Sequence, residues 1–102
     1  MSTAVTAAGH LIEIEDNRVL VDGTVKPVSP AGLAALHALA RCPGNVVDRD
    51  TLLRALPGHG KTAHAVESAV LRLRAALGDS QIVVTVVKRG YRLAVDSEED
   101  VA

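Results

Sequence analysis

Apolar and polar residues alternate near the start of the chain, with turn residues between the apolar stretches. Residues 12–15, Ile-Glu-Ile-Glu, have the period of two that is typical of a half-buried strand. Asp-Asn at 16–17 and Asp-Gly at 22–23 are turn signals on either side of the apolar residues 19–21. Residues 11–28 therefore predict an antiparallel meander of three or four short strands.

Helical start and stop signals follow in the middle of the chain. Ser29 is a favourable N-cap and Pro30 suits a first helical position, while Pro-Gly at 43–44 ends that helix. Asp48 caps a second helix, which the Pro-Gly-His-Gly sequence at 57–60 breaks. We expect the inward-facing residues to be Leu33, Leu36, His37 and Ala40 in the first helix and Leu52, Leu53 and Leu56 in the second.

A third helix is predicted over about residues 63–77, capped by Thr62 and stopped by Gly78. Its apolar positions fall within about 40° of one another on a helical wheel, so they should face the core. These positions are Val66, Val70, Leu73 and Leu77. The opposite face carries His64, Ser68, Leu71, Arg72 and Ala75. Because an exposed leucine gains nothing in water, we hypothesise that Leu71 meets either a thymine methyl group or a partner domain.

A β-hairpin is predicted over residues 82–95, with Lys88, Arg89 and Gly90 at its turn. The major groove of B-DNA admits one helix, and its narrow minor groove attracts lysine and arginine. A partly cationic helix followed at once by a basic hairpin can occupy the two neighbouring grooves. The order of elements thus predicts an α+β fold that binds double-stranded DNA.

The distribution of charge supports this interpretation more than its sum does. The net charge is −1, yet residues 59–92 hold six cations against two acids and the rest of the chain holds five against ten. Such asymmetry indicates a basic working face, with a solvated mixed surface as the alternative. We expect residues 96–102 to be a flexible acidic tail that competes with DNA or is merely solvated, and residues 1–10 to be a disordered lead or linker.

Other function classes find little support in the sequence. Cys42 is the only cysteine, which excludes a disulfide framework and a cysteine-based zinc site. The sequence at 55–62, ALPGHGKT, is close to a phosphate-binding loop but follows a leucine-rich helix rather than a buried strand. No catalytic constellation stands out, and no apolar run approaches the ~20 residues of a membrane span. We therefore expect a cytoplasmic protein that is not an enzyme, with no cofactor, metal or membrane partner.

Four stretches together resemble the winged-helix DNA-binding domain of OmpR/PhoB-type response regulators. They are "RVLVDGTVKPVSP", "ARCPGNVVDRDTLLRAL", "AVESAVLRLRAALG" and "VVTVVKRGYRL", within a region of similarity at about residues 11–95. The resemblance implies a winged helix-turn-helix with an N-terminal antiparallel sheet, three helices and a C-terminal wing. It also implies a transcription factor whose N-terminal phosphoacceptor domain is missing here, and a head-to-tail dimer on tandem half-sites.

The resemblance assigns roles to single residues. It makes Arg72, Arg74 and Tyr91 phosphate contacts and Thr85 a wing contact. The predicted DNA-binding residues are these four and the residues on the outer helix face and at the hairpin turn. The full set is His64, Ser68, Leu71, Arg72, Arg74, Thr85, Lys88, Arg89 and Tyr91. The chain departs from the family pattern at Gly32, where an acid is usual, and at His64 and Val87, where arginine is usual. The loop at 57–62 is shorter than the family loop that contacts RNA polymerase.

Two further interpretations stay open. The stretch "RLRAALGDSQIVVTVVKRGYRL" is also similar to the module fused to uroporphyrinogen-III synthase-like domains in some actinobacterial regulators. Such a fusion would place a ligand-binding domain, not phosphorylation, in control. The alternative function is a winged helix that serves protein–protein contacts with polymerase or a sensor domain, because Ala69, Leu71 and Ala75 lower the polarity of the outer face of the third helix.

Overall fold

The computed structural model of the protein describes residues 3–58 and 64–96. Its strands and helices follow the order β-β-β-β-α-α-α-β-β, as the α+β prediction requires. The strands are β1 (Thr3–Ala7), β2 (His10–Ile14), β3 (Val19–Val21), β4 (Thr24–Lys26), β5 (Val83–Val86) and β6 (Gly90–Leu93). The helices are α1 (Pro30–Ala40), α2 (Arg49–Ala55) and α3 (Ala65–Leu77).

Four antiparallel strands form the N-terminal sheet in the order β1-β2-β3-β4. Its inner face is apolar because Ile12 pairs with Val21 and Ile14 pairs with Val19, and all four side chains are buried. The prediction of a disordered lead over residues 1–10 was wrong for the residues that the structure describes. Thr3–Ala7 pairs along its whole length with β2.

The helices begin and end largely where their capping residues predict. The Ser29 hydroxyl accepts a hydrogen bond from the Gly32 amide at 3.1 Å, and the Asp48 carboxylate accepts one from the Thr51 amide at 2.7 Å. Gly78 closes α3 in the left-handed conformation with φ 85°. At the other end, α3 begins at Ala65 after His64, and the expected cap Thr62 lies outside the described residues.

The buried face of α1 differs from the expected one. Leu36 is buried as predicted, but Leu33, His37 and Ala40 are only half-buried. The residues of α1 that face the core are Gly32, Ala35, Leu36, Ala38 and Leu39. A Cβ atom on Gly32 would lie 3.1 Å from Val28 Cγ1 and 3.3 Å from Ser29 Oγ, which is tighter than an ordinary contact, and at the ordinary distance of 3.6 Å from the Cβ of Leu73 in α3. The side chains just before α1 therefore give a physical reason for a glycine at that position.

The inward faces of the other two helices are closer to prediction. In α2, Leu52 and Leu56 are buried as expected, whereas Leu53 is half-buried. The predicted stripe of α3 is confirmed, since Val66, Val70, Leu73 and Leu77 are each at most 2% exposed. These side chains join the N-terminal sheet and the wing in one aliphatic core, in which Tyr91 is the single aromatic residue.

The C-terminal hairpin of β5 and β6 is joined to the rest of the fold at both of its ends. Near the chain terminus, Val95 bridges Ala7 of β1, and the Asp96 amide donates to the Thr6 carbonyl at 2.8 Å. Near the turn, Tyr91 bridges Val47, the second residue before α2. The hairpin is therefore held between the N-terminal sheet and the entrance of α2.

A histidine links the N-terminal sheet to the end of α3. His10 Nδ1 lies 2.6 Å from Asp22 Oδ2, and His10 Nε2 lies 3.0 Å from Asp79 Oδ2. The hydrogen bonds to Asp22 and then to Asp79 raise the pKa of His10 above its usual value. The pKa of Asp22 is lowered chiefly by His10, and the pKa of Asp79 is lowered first by the Gln81 amide and then by His10.

Among residues 3–58 and 64–96, no helix combines the length and the apolar character that crossing a bilayer requires.

Candidate nucleic-acid interface

The outer face of α3 is exposed along the whole helix. His64, Ser68, Leu71 and Arg72, all predicted to contact DNA, have exposed side chains. Leu71 is 68% exposed, which is unusual for a large apolar residue on a helix whose opposite face is buried. The helix therefore presents a continuous surface to a partner, with one cation and one leucine near its middle.

The turn of the hairpin, residues 87–89, projects two cations. Lys88 has φ 65°, and the Arg89 amide closes the turn by donating to the Val86 carbonyl at 2.9 Å. Both cations are exposed, and Val87 beside them is 77% exposed. The left-handed conformation at Lys88 directs the chain sharply back on itself, so the charges concentrate at the wing tip.

Gly90 allows the base of this turn to lie against the entrance of α2. Its φ is 145°, and a Cβ atom there would come 2.2 Å from the Val47 carbonyl oxygen. Val47 and Tyr91 exchange two main-chain hydrogen bonds, of 2.8 and 3.1 Å. Only glycine fits this contact, because both its conformation and its missing side chain are required. The contact fixes the wing relative to α2.

Arg74 fixes the wing relative to α3. Its Nε and one terminal nitrogen donate to the Val83 carbonyl oxygen at 3.0 and 2.9 Å. The same terminal nitrogen donates to Thr85 Oγ1 at 2.8 Å. Two residues predicted to contact DNA are thus bonded to each other. Phosphate contact by Arg74 stays a prediction, but the structure gives this side chain a second role in joining β5 to α3.

An ion pair between Arg49 and Glu67 joins the first turn of α2 to the first turn of α3. One terminal nitrogen of Arg49 donates to Glu67 Oε1 at 2.9 Å, and Nε donates to Oε2. This bidentate contact raises the pKa of Arg49 and lowers the pKa of Glu67. Sequence reasoning missed Arg49. The available signal was a cation in the first turn of a helix, which the helix dipole disfavours unless an anion lies nearby.

A groove of about 320 Å³ lies between these two helices and the wing. Its lining includes Arg49, Glu67, Lys88, Arg89 and Tyr91. Tyr91 is 8% exposed and belongs to the core, so its packing role is clear from the structure. Its predicted phosphate contact would have to use the small part of the residue that reaches this groove. Cations predominate on the surface around it.

Comparisons with known proteins agree with this architecture. The family model described as "Transcriptional regulatory protein, C terminal" matches residues 23–93. No curated protein matched the chain. The C-terminal DNA-binding domain of RstA from Klebsiella pneumoniae is 28% identical, with a TM-score of 0.70 and coverage of 94% of each chain.

Two further solved structures are similar. The Klebsiella pneumoniae RstA DNA-binding domain in complex with the RstA box is 26% identical, with a TM-score of 0.70 and coverage of 90% of this chain and 97% of that one. The DNA-binding domain of CpxR from E. coli is 24% identical, with a TM-score of 0.72 and coverage of 91% and 95%. With the family match over residues 23–93, they confirm the predicted fold class: the chain belongs to the OmpR/PhoB-type family of DNA-binding domains at the C terminus of transcriptional regulatory proteins.

Proposed function

We propose that this domain binds double-stranded DNA sequence-specifically, with α3 in the major groove and the wing tip at the minor groove. The observation that carries this proposal is the fixed pairing of two exposed surfaces. Arg74 bonds β5 to α3, so the polar face of the helix and the cations at residues 88–89 keep one geometry. A preformed pair of surfaces suits neighbouring grooves of a duplex. The RstA domain, 26% identical, was solved in complex with its RstA box, which supports the same class of ligand here.

The exposed residues divide into two groups by chemistry. Arg72, Lys88 and Arg89 are exposed cations that suit phosphate oxygens or the negative potential of a narrow minor groove. His64, Ser68 and Leu71 offer hydrogen-bonding or apolar groups to base edges. Arg49 adds a cation held in place by Glu67, and we include it among the phosphate contacts. Specificity would come from the second group and most of the affinity from the first.

A salt titration tests this proposal. Four to six phosphate contacts imply that log K for random duplex DNA falls with log salt at a slope of about −4 to −5. Replacing Lys88 and Arg89 together by alanine should reduce this slope by about 2, since each lost phosphate contact removes about 0.9. Arg18→Ala is the matched control, because Arg18 is a surface cation paired with Glu15 in the turn between β2 and β3. A weak slope in the unchanged protein, or an equal effect of the control, would contradict DNA binding through the wing.

A second candidate function is protein–protein contact through the same face. The exposed apolar side chains of Leu71 and Val87 favour it, but Ala69, which was expected on the outer face of α3, is buried in the core and does not contribute. Apolar contacts depend little on salt, so the titration above separates the two functions.

The proposal has a wider context. In a longer regulator, this domain would be the cytoplasmic output unit under a regulatory domain, either a phosphoacceptor domain or a uroporphyrinogen-III synthase-like one. We also propose a head-to-tail dimer on tandem half-sites. Contact with RNA polymerase is proposed without a role for the loop at 57–62, part of which lies outside the described residues. Sedimentation with and without a two-half-site duplex would test the dimer.

A further inference from the structure

A second groove, of about 640 Å³, lies between α1 and α2 on a surface that the proposed function does not use. Small apolar side chains form much of its wall, namely those of Ala34, Ala38 and Ala55. Val47 contributes a buried side chain, and Cys42 lies exposed at the end nearest the α1–α2 loop. An extended peptide is narrower than a helix, whose diameter with side chains is about 10–12 Å, and so is the simpler occupant for a groove of this volume.

The two charged residues that line this groove, Arg41 and Arg54, are both basic. Arg41 and Arg54 are exposed, and His37 is half-buried. Neither arginine forms an ion pair with any residue in the described part of the chain. The carboxylate of Asp48, at the start of α2, already accepts the Thr51 amide at 2.7 Å. The groove therefore has an excess of positive charge, which favours an acidic occupant.

An acidic segment of this chain leaves the fold close to the groove. The Cβ of Val95 lies 3.9 Å from where a Cβ on Gly44 would stand, and Gly44 belongs to the loop that joins α1 to α2. Asp96, the next residue, is bonded to the N-terminal sheet: its amide donates to the Thr6 carbonyl in β1, and its carboxylate accepts the Gly9 amide of the β1–β2 turn at 3.1 Å. The next residues, 97–102, read Ser-Glu-Glu-Asp-Val-Ala.

The length of the segment is sufficient. Six extended residues reach about 20 Å at ~3.3 Å per residue. The groove runs along α1 from Arg41 back to Ala34, a rise of about 10 Å at 1.5 Å per residue. We propose that residues 97–102 lie in the α1–α2 groove, with their carboxylates facing Arg41 and Arg54 and Val101 against the alanine wall.

This position differs from the one that the sequence suggests, in which the tail covers the DNA-binding cations. Strand β6 runs from the wing tip towards Val95, so Asp96 lies at the far end of the wing from Arg89. The seven residue steps from Arg89 to Asp96 correspond to about 23 Å of extended strand. A tail at the wing tip would have to fold back along the whole hairpin, whereas the groove lies next to its point of exit.

Paramagnetic relaxation provides the test. In a Cys42→Ser, Ala102→Cys chain, a nitroxide at position 102 should broaden the amide signals of Ala34, Ala38 and Thr51 and leave residues 87–89 sharp. Exposed ion pairs each change an equilibrium by about 1.4- to 5-fold, so Arg41→Ala with Arg54→Ala should reduce tail binding roughly 2- to 30-fold. Arg18→Ala is the control cation outside the groove and should leave the broadening unchanged.

Three results would overturn the proposal. One is broadening centred on α3 and the wing tip, which would place the tail on the candidate nucleic-acid interface. Another is weak, uniform broadening that the arginine substitutions leave unchanged. The third is groove broadening that persists unchanged at 1 M salt, where the Debye length is only about 3 Å, since the unsubstituted groove should lose a charge-dependent occupant there. The salt arm needs no substitution in α1 or α2, so it remains valid even if the arginine variants fold poorly.

Discussion

Arg72 and Arg74 lie two residues apart on α3, but their replacement by alanine should affect different properties of the domain. Arg72 is exposed, with no ion pair to any described residue. Arg74 is half-buried and donates to Val83 and Thr85. We expect Arg74→Ala to destabilise the domain and Arg72→Ala to weaken DNA binding without affecting stability.

The magnitudes follow from the contacts. A hydrogen bond to a charged group contributes about 1.5–3 kcal/mol, and Arg74 serves two acceptors at a partly solvated site. We therefore expect Arg74→Ala to lower the free energy of unfolding by about 2–3 kcal/mol, which corresponds to a fall in Tm of about 10–20 °C for a domain of this size. Arg72→Ala should change stability by less than about 0.5 kcal/mol, as for other surface substitutions. It should cost about 1–3 kcal/mol of binding, equally on all DNA sequences.

Thermal unfolding, monitored by circular dichroism, measures the effect on stability. Fluorescence anisotropy with random and with selected duplexes measures the effect on DNA binding. Arg74→Lys is a useful third variant, because it retains the charge but loses the planar fork that reaches two acceptors. It should bind DNA where folded and still melt well below the unchanged protein. The reasoning would be refuted if Arg74→Ala kept its Tm and lost binding, or if Arg72→Ala melted far lower and bound normally.

Three other predictions concern separate parts of the fold. Leu71→Ser should relax preference at one A·T position in a binding-site selection, and an unchanged motif would exclude contact with a thymine methyl group. Gly90→Ala should prevent stable folding or cost well over ~2 kcal/mol in urea denaturation, because its Cβ would overlap a main-chain oxygen, whereas Gly23→Ala, with φ 86° and open space around it, should cost only about 1–2 kcal/mol. His10 has a raised pKa, so its stabilising contribution is complete below about pH 6.5 and is lost as the pH rises through the higher folded value. Unfolding midpoints should therefore fall from pH 6 to pH 9, and His10→Asn should remove that fall; an identical pH profile in the variant would contradict the assignment.

The acids that bond His10 act in the opposite direction. The lowered pKa values of Asp22 and Asp79 mean that their contribution is present above about pH 3.8 and is lost as the pH falls through the lower folded values. The cluster should therefore stabilise the fold most between these two limits, from about pH 4 to somewhat above pH 6.5.

Features that depend on adjacent residues could be predicted from the sequence. The turns of the meander, the caps Ser29 and Asp48, and the stop at Gly78 each require only a few neighbouring residues. The core stripe of α3 was also predictable, because a helical period allows only one face to be apolar throughout. The family resemblance added the identity of the hairpin as a wing, and the family match over residues 23–93 confirmed it.

Predictions failed where a partner far along the chain decides the structure. The segment Thr3–Ala7 has no clear alternation of its own, yet β2 pairs with it on one side and the Asp96 amide donates to its Thr6 carbonyl on the other. The buried face of α1 differs from the predicted one because small residues, Gly32, Ala35 and Ala38, lie against the core beside Leu36 and Leu39, while Leu33 is only half-buried.

By itself the sequence determined the kinds of elements, their order, and the concentration of cations in the last third of the chain, because periodicity, capping and charge are local properties. Only the tertiary structure decided which cations remain available to a ligand. Arg74 bonds to the wing, whereas Arg72, Lys88 and Arg89 stay exposed and Arg49 is oriented by Glu67 at the groove that Lys88 and Arg89 also line. The reason is physical. An arginine bonds to whichever acceptors the folded backbone brings within about 3 Å, and the local sequence pattern does not determine which acceptors those are.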